Sequence, residues 1–82
     1  MIIGCTGNYR KEEYFIILER IYSILSKSDV EFLISDDMRK NKDFHIPDDY
    51  SLVEFDELSK QVEVLLAIGG DGTILSTVRR LG

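Results

Sequence analysis

The chain is 82 residues long and carries 15 Asp and Glu against 10 Lys and Arg, a formal net charge of −5 at pH 7. That length bounds it to one small domain with a modest core. The acidic balance argues against a nucleic-acid-binding surface but leaves nucleotides open, because magnesium and a helix terminus can hold a phosphate. One cysteine excludes an internal disulfide and a zinc cluster built from thiols, and suits a reducing cytoplasm. Met1-Ile2-Ile3-Gly4-Cys5-Thr6 lacks the basic region and long apolar core of a signal peptide, and no apolar run reaches transmembrane length.

Residues 1–6 read as a first strand, broken by Gly7-Asn8, where Asn suits a turn. Gly4 and Gly7 form only Gly-x-x-Gly, short of the Gly-x-Gly-x-x-Gly dinucleotide fingerprint. A strand end turning into a helix is therefore expected there, with Cys5 as a small buried hydrophobe. Residues 10–27 carry the clearest helical pattern. Tyr14, Leu18, Ile21 and Leu25 fall on one stripe with Ile17 and Ile24 beside them, and Lys11, Glu12, Glu19, Arg20 and Lys27 cover the other side. The apolar run 14–18 is wider than one stripe, which leaves part of it for a neighbour outside the chain.

Residues 30–35 read as a second strand with Phe32 and Ile34 facing one way, and Asp36-Asp37 as its solvated end. Residues 38–49 are polar and read as a loop. His45, the single histidine, has no His, Cys or paired acid at ligand spacing and is expected at the surface without a metal. Residues 56–61 suggest a short helix capped by Asp56. Residues 62–68 are nearly all apolar, as in a parallel strand buried on both faces.

Gly69-Gly70-Asp71-Gly72-Thr73 follows directly. Three glycines in four positions relax the backbone and let a ligand approach the main chain. Residues 73–81 read as a helix with Ile74, Leu75, Val78 and Leu81 as its core stripe, and Arg79-Arg80 near its carboxyl end, where cations complement the dipole. The free N–H groups at the start of such a helix suit a phosphate. A carboxylate at Asp71, beside that phosphate, is unfavourable unless it binds a metal, orients a hydroxyl or takes a proton. The competing role for Asp71 or Thr73 is a plain helix cap.

Alternating strand and helix patterns imply an α/β fold: a three-layer, Rossmann-like parallel sheet in strand order 2-1-3, forming a partial N-terminal domain. The carboxyl ends of the first and third strands then lie together. The crevice between them is the switch point where ligands of α/β sheets bind. Two unpaired edges on a three-stranded sheet point to a homo-oligomer.

The string Leu66-Ala67-Ile68-Gly69-Gly70-Asp71-Gly72-Thr73-Ile74-Leu75 resembles the NAD kinase family. Phosphofructokinases and diacylglycerol-type lipid kinases share a related Gly-Gly-Asp-Gly core. However, Gly7-Asn8-Tyr9-Arg10 resembles neither the glycine-rich loop of the former nor the Asn-Pro turn of the latter. The resemblance implies that residues 1–82 are the N-terminal α/β nucleotide-binding domain of an NAD kinase, with the second domain absent and the isolated chain inactive. It implies phosphoryl transfer to the adenosine ribose 2′-hydroxyl of NAD, giving NADP, from ATP or polyphosphate with a divalent metal such as magnesium. Carried over by position, Asp71 is the general base, and Gly69, Gly70, Gly72 and Thr73 lie against the nucleotide. No residue of the chain is assigned as a metal ligand. The implied partners are NAD and ATP, without nucleic acid or membrane, in the cytoplasm. Ser76 stands where many family members carry Arg. A non-catalytic nucleotide-binding module that keeps only the motif stays open.

Overall fold

Side chains alternate between the two faces of a strand, and the first strand shows how the layers are built. The computed structural model describes residues 1–69 throughout and residues 74–78 as backbone. In β1 (Ile2–Gly7), Cys5 is fully buried on one face, in a cluster with Tyr14, Leu18, Ile34, Met38 and Ile68. The opposite face packs Ile2 against Leu33, Leu58 and Val62. Helix α1 (Glu12–Leu25) supplies the cover for the first face through Tyr14 and Leu18. Helix α2 (Phe55–Gln61) covers the second through Leu58. Three layers result, as expected from the sequence.

Strand β2 (Glu31–Ser35) pairs with β1 in parallel, Gly4 opposite Leu33 and Cys5 opposite Ile34. Phe32 and Ile34 do share a face, with Leu33 on the other. On the far side of β1 lies β4 (Val64–Ile68), also parallel, with Gly7 opposite Ile68. The central order β2-β1-β4 is therefore the expected 2-1-3 arrangement. Two flanking strands extend it. A two-residue strand, β3 (Leu52–Val53), pairs parallel to β2. It is too short to carry a period in the sequence. The fifth, β5 (Ile74–Val78), pairs antiparallel to β4, Ile68 opposite Ile74 and Val64 opposite Val78. The full order is β3-β2-β1-β4-β5.

That last strand overturns the helix expected over residues 73–81. Ile74, Thr77 and Val78 are β-branched, which favours the pleated surface over a helix. Asp71-Gly72 between two apolar runs is also a common signal for chain reversal into a hairpin. The sheet is thus mixed, parallel through four strands with one antiparallel edge. Residues Gly70 to Thr73 and Arg79 to Gly82 lie outside the described residues.

Smaller differences have equally local causes. The loop expected over 38–49 begins inside a 3₁₀ helix, Asp36–Lys40, with Met38 buried. Ser35 Oγ accepts the Asp37 main-chain N–H at 3.4 Å and opens that turn. In α2, Asp56 sits within the first turn, and Glu54 holds the cap position without a side-chain bond. Residues Val64 to Ala67 are only half-buried, so β4 is less enclosed than its apolar run suggests. Part of the extra apolar width of 14–18 is met within the chain, where Phe15 stacks on Phe44 at 4.2 Å between ring centroids, while Ile16 stays exposed. Tyr22 donates to Asp49 at 2.9 Å and packs against Tyr50 with the rings tilted by 40°. The segment after the 3₁₀ helix is thereby strapped to α1.

Candidate functional site

The carboxyl ends of β1 and β4 meet at Gly7 and Ile68. Asn8 extends the join, its N–H donating to the Ile68 carbonyl at 3.2 Å. A Cβ on Gly7 would lie 2.5 Å from the Ile68 carbonyl oxygen and 2.8 Å from the Tyr14 ring. Glycine is present here because strand and helix approach too closely for a side chain. Gly4 does the same on the other face, where a Cβ would lie 2.6 Å from Val62 Cγ1. Neither glycine forms part of a dinucleotide turn.

Chain direction then reverses from β1 into α1. Asn8 Oδ1 accepts the Arg10 N–H at 3.2 Å, and the Asn8 carbonyl accepts from Lys11 at 3.1 Å. Helix α1 has no side-chain cap, and Glu12 and Glu13 occupy its first turn. Their carboxylates complement the positive end of the dipole, so this terminus repels a phosphate. Because β2 and β4 lie on opposite sides of β1, the crevice between β1 and β4 is the topological switch point.

Of the residues expected to bind nucleotide, Gly69 is placed: it follows β4 directly, half-buried, at this crevice. Gly70, Asp71, Gly72 and Thr73 lie outside the described residues. The strand at Ile74–Val78 removes the helix whose start was to hold a phosphate, and with it the capping role for Asp71 or Thr73. Ser76 stands in β5 opposite Leu66. Asp36 and Asp37, at the end of β2, start the 3₁₀ helix, and Asp37 pairs with Lys40 at 3.7 Å. His45 is exposed.

Beneath the crevice, burial pushes the Cys5 thiol up from 9.0 to about 12, with the Tyr14 hydroxyl pulling weakly the other way. Tyr14 is itself raised beyond its usual range, first by burial and then by the neighbouring Cys5 and Asp37 charges. Both groups are neutral at physiological pH, and Cys5 is no nucleophile. Above pH 9.0 the unfolded chain loses its thiol proton while the folded chain keeps it. Stability therefore declines as pH rises from 9.0 toward 12, with a limiting slope of about 1.4 kcal/mol per pH unit for this group. Urea midpoints measured across that range should fall for the wild type and fall less steeply for Cys5→Ala.

Among the described residues, no three His, Cys, Asp or Glu side chains converge as a metal site. No helix among these residues is long and apolar enough to cross a membrane.

One cluster escaped the sequence reading. Tyr9 and Arg10, after β1, face Lys40, Asn41, Lys42 and Asp43, after β2, across a cleft of about 460 Å³. Its signal was the run Arg39-Lys40-Asn41-Lys42 in an otherwise acidic chain.

The family profile described as "ATP-NAD kinase N-terminal domain" matches residues 3–82. An NAD kinase of Caldicellulosiruptor saccharolyticus is 32% identical over 81 residues, which is 99% of this chain and 25% of that protein. An NAD kinase of Saccharophagus degradans is 25% identical over 77 residues, 94% of this chain and 25% of the relative. One from Caldicellulosiruptor bescii is 31% identical over 81 residues, 98% of this chain and 24% of the relative. The chain thus spans about a quarter of the length of the curated relatives it matches. No solved structure matches it. With nearly every residue inside the profile, and a three-layer sheet that brings Gly69 to the switch point, the chain belongs to the ATP-NAD kinase N-terminal domain family.

Proposed function

We propose that the protein carrying this chain phosphorylates the adenosine ribose 2′-hydroxyl of NAD to give NADP, with ATP or polyphosphate as donor. The observation that carries the reading is the delivery of Gly69, first residue of Gly-Gly-Asp-Gly-Thr, to the crevice beside Gly7 and Asn8. Family membership over residues 3–82 supports it. A sugar hydroxyl is a weak nucleophile. Asp71 would orient it and accept its proton, while Gly69, Gly70, Gly72 and Thr73 let the nucleotide lie against the main chain. Phosphoryl transfer depends mainly on positioning and charge stabilisation, so a backbone cradle and one carboxylate are what this part of the protein would supply. Magnesium would neutralise the donor's phosphates. The single cysteine, buried and unpaired, fits a reducing cytoplasm. The outer edges of the described sheet, β3 and β5, are where copies of the protein would pair.

The test is NADP formation from NAD, magnesium and either ATP or polyphosphate, in the protein in which these residues occur. Turnover with one of the donors is expected. NAD binding without any NADP would favour the non-catalytic module instead. The 82 residues assayed alone should show little turnover, because about three quarters of each relative lies outside the stretch that aligns.

A further inference from the structure

We propose that the cavity between α1 and residues 44–50 binds a short aliphatic diamine, its methylene chain against the apolar lining and its two ammonium ends on Glu12 and Glu19. The cavity, about 200 Å³, is lined by none of the residues that mark the nucleotide crevice, so its ligand is independent of the kinase reading. Leu18 and Met38, both fully buried, lie deepest. Phe15, Phe44, Pro47 and Tyr50 form apolar walls. Glu12 and Glu19 interrupt this lining, with no Lys or Arg beside them, and His45 is the other polar residue on its border. An apolar pocket with a few placed polar groups is the usual make-up of a small-ligand site. Here the polar groups fix the sign of the ligand. Among the described residues neither carboxylate forms an ion pair, the two pairs being Lys40–Asp37 and Lys60–Glu57.

The walls are fixed before any ligand arrives. Phe44 stacks on Phe15 with the ring planes within 13° of parallel. The Tyr22 hydroxyl donates to Asp49, and the Tyr22 and Tyr50 rings lie 4.6 Å apart. These contacts hold residues 44–50 against α1 at both ends. Glu19 stands near Tyr50: the Tyr50 hydroxyl is raised from its usual value first by burial and next by the Glu19 charge. Glu12 and Glu19 share one side of α1, two turns and about 10.5 Å apart along its axis. One compact cation cannot reach both. Two ammonium groups joined by a short flexible chain can, and the chain then covers the apolar surface between them. Aromatic walls also attract an ammonium group that comes over a ring face. The net charge of −5 favours a doubly charged cation further. A volume below that of drug-sized sites suits so small a molecule.

Ligand-observed NMR titration with cadaverine, pentylamine and pentanol, on the protein in which this chain occurs, tests the site. The three share one chain length and carry two charged ends, one and none. Cadaverine should bind most tightly and pentanol least, each step differing by roughly twofold to fivefold, the range of solvent-exposed ion pairs. Glu12→Gln and Glu19→Gln should each bring cadaverine to the level of pentylamine, and the double variant to that of pentanol. Added salt should narrow the series. Both glutamates are exposed, so neither substitution threatens the fold, and a melting temperature on each variant verifies this. Glu57→Gln, on α2 across the sheet, is the control for net charge. The methylene protons of bound cadaverine should shift upfield beside the rings, and Phe44→Leu, which keeps the wall apolar, should reduce that shift. Equal binding of the three ligands, weakening of cadaverine by Glu57→Gln as large as that by Glu12→Gln or Glu19→Gln, or a methylene shift unchanged in Phe44→Leu would each overturn the site. No turnover enters these measurements, so they stand whether or not the protein makes NADP.

Discussion

Replacing Asp71 by Asn is expected to lower NADP formation by about 100- to 10,000-fold, the range general-base catalysis contributes, with little change in melting temperature. The substitution keeps size and one acceptor oxygen and removes the ability to take a proton at neutral pH. Asn-Gly and Asp-Gly serve equally well where a chain reverses between two strands, as it does between Ile68 and Ile74. Local backbone preference is therefore preserved. Helix capping no longer competes as an explanation, since Ile74–Val78 is a strand. A purely structural Asp71 predicts the opposite pair of results: near-normal turnover, with any loss appearing in stability. Measuring rate and melting temperature on the same variant separates the two. An active Asp71→Asn enzyme would remove the base from the mechanism.

The parts of the fold legible in the sequence were those whose signal is long. Tyr14 and Leu18 announce α1 because an amphipathic stripe repeats over several turns. The apolar runs of β1, β2 and β4, with helical segments between them, sufficed for the order β2-β1-β4 and the position of the crevice. What could not be read was short or ambiguous. Leu52 and Val53 are two residues without a period. Ile74, Leu75 and Val78 fit a helical stripe, but the same five-residue segment, rich in β-branched side chains, also completes a hairpin against β4. Pairing across the sheet decided it, and pairing is a tertiary fact. The phosphate-binding argument built on a helix after Thr73 fell with that helix, whereas the location of Gly69 did not. The run 14–18 reads as wider than one stripe, but Phe44, on which Phe15 of that run stacks, comes from a polar-looking segment that advertises no contact. The basic cleft was invisible for a similar reason. Arg10 and Lys40 are thirty positions apart in sequence, and the parallel pairing of β1 with β2 brings the ends of both strands to one edge.

Gly7→Val is expected to be the most damaging single substitution at that edge, costing about 3 kcal/mol, the upper part of the range for overpacking a well-packed site. The reason lies in what its Cβ would meet. At 2.5 Å the obstacle is the Ile68 carbonyl oxygen, a backbone atom held by the β1–β4 ladder. The Tyr14 ring closes the other side at 2.8 Å, and Tyr14 is itself fully buried. Neither can retreat cheaply. Relief requires β1 and β4 to separate at Gly7 and Ile68, which also breaks the 3.2 Å bond from the Asn8 N–H to the Ile68 carbonyl. Gly4 provides the comparison. Its Cβ would meet Val62 Cγ1 at 2.6 Å and Leu58 Cδ1 at 3.0 Å, both side-chain atoms on the α2 face that can shift with the helix. Gly4→Ala should therefore cost less than Gly7→Ala, even though the two contacts are nearly equal in length. For a domain this small, each kcal/mol moves the melting temperature by about 4–8 °C, so the difference is readily measured by urea or thermal unfolding. Because Gly7 lies beside Gly69, the Gly7 variants should also lose NAD affinity under conditions where they remain folded, while Gly4→Ala retains it. Equal destabilisation by the two alanine variants would mean that β1 and β4 can part at their carboxyl ends more freely than this geometry allows.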